Sequence, residues 1–399
     1  MDVSLAYGNH KHCILTLRDS QHINIPADPD TWVSVAIDDA IHKVLNSPIE
    51  FPALRDIIFA GDSVAIAVEP DIPQCGDILF GLLTYIRENT GLSAGDITIV
   101  YGGSDWQFNA LQLPSRLNHI FDTEIQFEIH DANQSEQLAF LATATDSEPL
   151  RFNKTLVDAD VVLPLSIHLP STLTYHLGFY HCLFPTFADQ QTQIRISKQS
   201  STATDQDAIA AASMLGTQFM MKVTPGFGDQ IVNFSAGEIR ALDAQLATTN
   251  TAQHYPAWNP AELSIGTLSG HTSGHNWDAI SRGLETLADV TQEGGMLILC
   301  TEVTEDVPPI LSWLKSTDRD DEIESQLHQA MDPDTQIAQT ILRLREAFRI
   351  CLLSQLDGEV IESLGMAPIQ STQQIQKLAD GCESINCIID AHRVTFHQI

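Results

Sequence analysis

The chain has 399 residues, of which 52 are acidic and 20 basic, giving a formal net charge of −32. Such a field repels nucleic acid and anionic membranes, whose binding rests on Lys and Arg neutralising phosphate, and it means that a small carboxylate ligand needs a locally positive pocket. The length predicts two domains, and a hydrophobic fraction of 43% is enough for each to bury a core.

The N-terminal stretch MDVSLAYGNHKHCILTLRD lacks the charged-then-apolar order of a signal peptide, and no run reaches the roughly eighteen apolar residues of a spanning helix. Seven cysteines without a CxxC spacing read as reduced thiols of a cytoplasmic protein.

In chain order, VAIAV at Val64 to Val68 is short, apolar and bounded by polar residues, and predicts a buried strand. DILFGLLTYIREN, 77–89, follows as a helix with an acidic first turn. Ile97 to Tyr101 predicts the next strand, running into Gly102-Gly103, and Ile125 to His130 and Val161 to Ile167 predict two more. This βαβα order implies an α/β fold with a mostly parallel sheet, whose ligands bind beyond the carboxyl ends of the strands. An Ala/Met-rich helix is expected over 205–221, then a hairpin in KVTPGFGDQIVNF and a helix in AGEIRALDAQL.

The polar, Pro-punctuated stretch TTNTAQHYPAWNPAE divides the chain near residue 255, into domains of 1–255 and 256–399. Beyond it come a strand at 263–268, the loop SGHTSGHNWD, a helix at 278–290, the strand GGMLILC and a long amphipathic helix at 335–353. Arg343, Arg345 and Arg349 fall on its later turns, where positive charge suits the helix dipole.

Six segments in order carry a resemblance. LAYG, SPIEFPALRDI with VEPDIPQCGDILFGLL, DITIVYGGSDW, ADVVLPLSI with LGFYHCLFPTFA, VNFSAGEIRALDA and DAISRGLETLADVTQEGGMLIL are similar, in sequence and spacing, to segments of the nickel-dependent lactate racemase family. The resemblance implies two α/β domains with a ligand cleft between them. It also implies a nickel-pincer nucleotide tied to a lysine by a thioamide bond, two histidines as acid and base, and cationic residues holding the carboxylate of a small 2-hydroxy acid.

The family's functional positions are largely replaced. His181 stands at the cofactor-bearing lysine, and an imidazole cannot form the stable thioamide that a primary amine forms. Ser171 stands at a catalytic histidine, Ser104 at the other, Ser197 at a nickel-ligating histidine and Ile72 at an arginine. Arg282 falls at a lysine that contacts substrate or cofactor, and a guanidinium can still clamp a carboxylate. Glu69 and Asp71 end a strand where family members contact the nucleotide ribose, and Gly102, Gly103 and Ser104 form the adjacent loop; these five are the expected cofactor contacts.

Two groups of residues offer replacement chemistry. His168, His176, His181 and Cys182 lie within fifteen residues of one another, and His271 and His275 would share one face of a helix. Neutral imidazole and thiolate are good ligands for nickel, zinc or copper, so His168, His181, Cys182, His271 and His275 are the expected metal donors. His176 and His181 are the expected substitute acid and base. Against this stands the plain alternative that loop histidines bond water or a backbone carbonyl. The sequence therefore leaves two functions open: a racemase or epimerase of 2-hydroxy acids with an altered cofactor or metal site, and a non-catalytic relative that binds a nucleotide or small carboxylate.

Overall fold

The expected short apolar runs become strands of two six-stranded sheets in a computed structural model, which describes residues 1–19, 21–25, 34–121, 123–143, 148–169, 180–197, 201–247, 254–315 and 320–396. The chain divides into two compact units. A central unit comprises 32–226 and 230–251, and a terminal unit comprises 1–31, 227–229 and 252–399.

In the central unit the strand order is Ile231–Glu238, Phe219–Pro225, Val161–Ile167, Val64–Val68, Ile97–Tyr101, Gln126–Ile129. All pairings are parallel except the Phe219–Pro225/Ile231–Glu238 hairpin. Every residue of VAIAV is buried, as a central parallel strand covered on both faces requires. From Val64–Val68 the chain steps outward through Ile97–Tyr101 to Gln126–Ile129. It then returns to lay Val161–Ile167 on the other side of its starting strand. That reversal makes the carboxyl ends of Val64–Val68 and Val161–Ile167 a topological switch point, where the connecting loops part and leave a crevice.

The terminal unit repeats the logic. Its sheet runs Ala367–Ile369, Arg349–Leu353, Thr291–Cys300, Ala261–Thr267, Ser384–Ile388, His22–Asn24, parallel throughout. Its switch point falls between Ala261–Thr267 and Ser384–Ile388.

Three expectations change. Residues 1–31 do not group with the central unit: His22–Asn24 pairs with Ser384–Ile388, and Thr16 N donates to Gln376 Oε1 at 2.8 Å, so this segment builds the terminal sheet instead. The Ala-rich helix ends at Met214, and Phe219–Pro225 is a strand paired on both sides. The long helix stops at Ala347, after which Arg349–Leu353 enters the sheet beside Thr291–Cys300. In the last two cases a short apolar run continued the helical periodicity, and pairing within the sheet decided its conformation. All seven cysteines are unbridged. Among the described residues no helix is long and apolar enough to cross a membrane.

Candidate functional site in the central switch-point crevice

Four polar side chains meet at the central switch point. Glu69 follows the Val64–Val68 strand, and Ser166 sits near the end of Val161–Ile167. Parallel pairing places Lys222 of Phe219–Pro225 directly beside Ser166. Glu69 Oε2 accepts from Ser166 Oγ at 2.5 Å and from the Ile167 backbone N at 2.9 Å. Its other oxygen, Oε1, pairs with His181 Nε2. Lys222 Nζ donates to Ser166 Oγ at 3.1 Å. All four residues are buried, Lys222 at 3% exposure and His181 at 8%, so none could carry charge here without partners.

The electrostatics follow from that burial. Desolvation alone would raise the Glu69 carboxyl; the imidazole of His181, then Lys222 and the Ser166 hydroxyl, reverse this and hold it below the ordinary carboxylate range. An ionised Glu69 accepts at Oε1, so His181 carries its proton on Nε2. Nδ1 is buried without a hydrogen-bond partner.

The segment that carries His181 is fixed by its apolar neighbours. Cys182, Leu183, Phe184 and Phe187 are fully buried, and Thr186 Oγ1 donates to the His181 carbonyl at 2.6 Å. Gly102 lets this segment approach: a Cβ there would stand 2.5 Å from Thr186 Cγ2. On the other side of the crevice His168 donates its backbone N to Val223 O at 2.7 Å. Burial, assisted by Lys222, pushes the His168 imidazole down to about 4, and its Nε2 is also buried without a partner. A carboxylate thus fixes one nitrogen of His181 and leaves the other able to exchange a proton, the arrangement that general acid–base chemistry needs.

The remaining expected residues are placed as follows. Ser104 caps the Asp105–Leu111 helix, accepting from Gln107 N at 3.3 Å, and Asp71 accepts from Gln107 Nε2 at 2.9 Å. Gly103 packs against Gln107 and Tyr101. Of the five expected cofactor contacts, only Glu69 joins the group around His181; Asp71 and Ser104 are tied into a helix start. His176 and Ser171 lie outside the described residues. Cys182 has its Sγ 3.9 Å from Met220 Sδ, and burial pushes its thiol up to about 12, which disfavours a thiolate ligand.

In the terminal unit His271 and His275 do not share a helical face. His271 caps the short Thr272–Gly274 turn with Nδ1, which accepts from Ser273 N at 3.2 Å. His275 is 1% exposed, and its Nδ1 accepts from Thr301 Oγ1 at 2.8 Å and Glu302 N at 3.0 Å. Burial pushes this imidazole down to about 4. Arg282 lies on the Trp277–Asp289 helix, with Nη2 3.0 Å from Asp278 Oδ2 one turn earlier. At this unit's own switch point Asp390 Oδ1 accepts from Ser269 N and Oγ, both at 2.7 Å, and Oδ2 accepts from Gly228 N at 2.6 Å. Arg393 Nη1 donates to Gly228 O at 2.7 Å.

The nickel-pincer nucleotide can be tested against these donors. The side chain at the anchoring position has no primary amine, and its Nε2 is engaged by Glu69. Cys182 is a neutral thiol, and His271 and His275 use Nδ1 locally. Among the described residues no three His, Cys, Asp or Glu side chains are grouped to hold a metal ion. The metal set expected from His168, His181, Cys182, His271 and His275 is therefore not what these residues form, and the described residues do not fit the group.

Sequence reasoning missed Ser166 and Lys222. Each had a signal: a lone polar residue in VVLPLSI and a lone charge in FMMKVTP, inside runs otherwise destined for burial.

Two α/β units, each with a topological switch point and one holding a carboxylate-bound imidazole there, define the class of fold. Residues 7–177 match the family model for the lactate racemase N-terminal domain. The chain is 20% identical to lactate racemase from Thermoanaerobacterium thermosaccharolyticum over 398 residues, covering 92% of each. Its fold matches the lactate racemase apoprotein of that organism with a TM-score of 0.73 at 17% identity, over the whole of both chains. A protein from Thermotoga maritima matches with a TM-score of 0.65 at 12% identity, over 94% of this chain and 99% of that one. Over residues 7–177 the chain is thus similar to the lactate racemase N-terminal domain, and along its whole length it shares the fold of the lactate racemase apoprotein.

Proposed function

We propose that the protein is an isomerase of small 2-hydroxy acids, a racemase or epimerase, in which His181 exchanges a proton with the bound substrate. The observation that supports this most is the Glu69–His181 pair, with Nε2 held and Nδ1 unpartnered. In this reading Nδ1 removes the hydrogen at C2 as a proton, and the Glu69 carboxylate stabilises the imidazolium that forms. Lys222 keeps Glu69 ionised and supplies positive charge near the anion that develops on the substrate. A proton delivered by solvent to the opposite face inverts the centre, while the one held by His181 is released.

Enantiopure lactate and longer 2-hydroxy acids, followed by chiral chromatography in D₂O, test the proposal. We expect interconversion with solvent deuterium appearing at C2, and a loss of about 10²–10⁴-fold in His181→Ala. Racemisation that keeps the original C2 hydrogen, or that proceeds undiminished in His181→Ala, overturns it.

One observation favours a second reading, a non-catalytic relative that binds a small carboxylate. Among the described residues the donors expected to rebuild a metal site are not grouped to hold an ion, and Cys182 is held as a neutral thiol. Saturable binding of a 2-hydroxy acid without any interconversion would establish it.

A further inference from the structure

Lys222 has no role in the sequence reading and only an electrostatic one in the reaction above, yet its setting is chemically specific. A strand fixes it at the carboxyl edge of a parallel sheet, at the switch point, with 3% of its surface exposed. Its Nζ donates to Ser166 Oγ at 3.1 Å, and Ser166 Oγ in turn donates to Glu69 Oε2 at 2.5 Å. These two contacts form a proton wire from an ammonium through a hydroxyl to a carboxylate. The same carboxylate continues to His181 Nε2. Buried lysines that can shed a proton become nucleophilic amines, and an acid–base group beside them serves the dehydration step of imine formation.

We propose that Lys222 forms a Schiff base with the carbonyl carbon of a 2-oxo acid. The Lys222 proton passes transiently to Ser166 while the Ser166 proton passes to Glu69, and the neutral amine so formed is consumed by attack before the carboxylate recovers its charge. The amine nitrogen attacks the carbonyl carbon, forming the C–N bond, and the carbonyl oxygen takes up a proton. Proton return through the same groups expels that oxygen as water. The net change, Lys–NH₃⁺ plus a ketone giving Lys–NH⁺=C and water, balances with no oxidant or reductant. The choice of a 2-oxo acid over a simple ketone rests on His168 Nε2, a buried polar atom of this crevice without a partner, which as the N–H tautomer would donate to a carboxylate beside the carbonyl. His181 and His168, rather than Lys222, keep some side-chain exposure, so the ligand approaches from the histidine side.

The test is reductive trapping of the full-length protein with pyruvate and cyanoborohydride, read by intact mass and peptide mapping. A single adduct on Lys222, absent from Lys222→Arg and formed at least about tenfold more slowly in Ser166→Ala, is the expected result. No adduct, or one distributed over other lysines, overturns it, and the wild-type peptide map decides even should Lys222→Arg not fold. Equal trapping of acetone overturns the assignment to a 2-oxo acid. The inference does not rest on the isomerase reading: interconversion of hydroxy acids is measured without reductant, so either result can fail alone.

Discussion

The two switch-point crevices are built alike and filled differently. Each places an acidic residue just past one of its two bounding strands and a serine at or just past the end of the other: Glu69 with Ser166 in the central unit, Asp390 with Ser269 in the terminal unit. In the central crevice the carboxylate faces an imidazole and an ammonium, and two ring nitrogens stay unpartnered. In the terminal crevice the carboxylate faces two backbone N–H groups, a hydroxyl and the nearby Arg393 guanidinium, which also holds residue 228; His275 Nε2 and His392 Nδ1 of this unit are likewise buried without partners. Gly270 lets residues 228 and 229 come close: at φ +96, a Cβ there would stand 2.7 Å from Asp229 Oδ1. Topology decides where the strand ends part, and the residues ending those strands decide whether the buried carboxylate there is bound by an imidazole or by the chain's own backbone.

The largest expected effect tests the charged crevice. Glu69→Ala leaves Lys222 as an uncompensated buried cation, so it should cost about 3–5 kcal/mol in urea unfolding. Glu69→Ala/Lys222→Met should recover most of that, because removing both charges removes the cause. An equal loss in the double variant would mean that Glu69 matters through packing rather than charge.

Asp390→Ala should cost less, about 1–3 kcal/mol, the penalty for buried donors left without an acceptor. The pH dependence separates the two crevices by sign. Burial raises the Asp390 carboxyl above its ordinary value, so the fold binds its proton more tightly than the unfolded chain does above pH 3.8. Stability from this group is present at low pH and is lost as pH rises through the raised value. Glu69 is held below 4.5, so its contribution is present above that value and is lost as pH falls through the lowered one. The gap between wild type and Asp390→Ala should therefore widen on acidification, and the gap between wild type and Glu69→Ala should narrow. Parallel pH profiles would break the comparison.

How far the sequence revealed this can be judged from particular residues. VAIAV, ITIVY and VVLPLSI were legible as strands because buried parallel strands are apolar on both faces, and the first and third bound the central switch point. Glu69 and His181 were legible as site residues, one by its place at a strand end and one through the resemblance. Their contact was not, since it joins residues 112 apart in sequence across a loop of undetermined path. Lys222 was hidden by a wrong element: placed at the edge of a helix and a hairpin, its side chain had no assigned direction, whereas the strand register aims it at Ser166. The metal reading failed on local chemistry. Close spacing of His and Cys in sequence says nothing about whether a carbonyl, a hydroxyl or an apolar wall takes each donor first.

The smallest expected effect on stability concerns Arg282, and it separates structure from function most cleanly. Its contact with Asp278 spans one helical turn, and the aspartate side chain is 59% exposed, so solvent screens the pair. Loss of that pair alone, as in Asp278→Ala, should thus change unfolding free energy by only about 0–1 kcal/mol. A guanidinium that clamps a substrate carboxylate through charge-assisted hydrogen bonds contributes more than this, about 1.5–3 kcal/mol. Calorimetric titration with a 2-hydroxy acid should then show affinity falling by about ten- to a hundredfold in Arg282→Ala and barely changing in Asp278→Ala. Unchanged affinity in Arg282→Ala would remove Arg282 from ligand binding, and the resemblance at that position would then reflect the helix rather than the site.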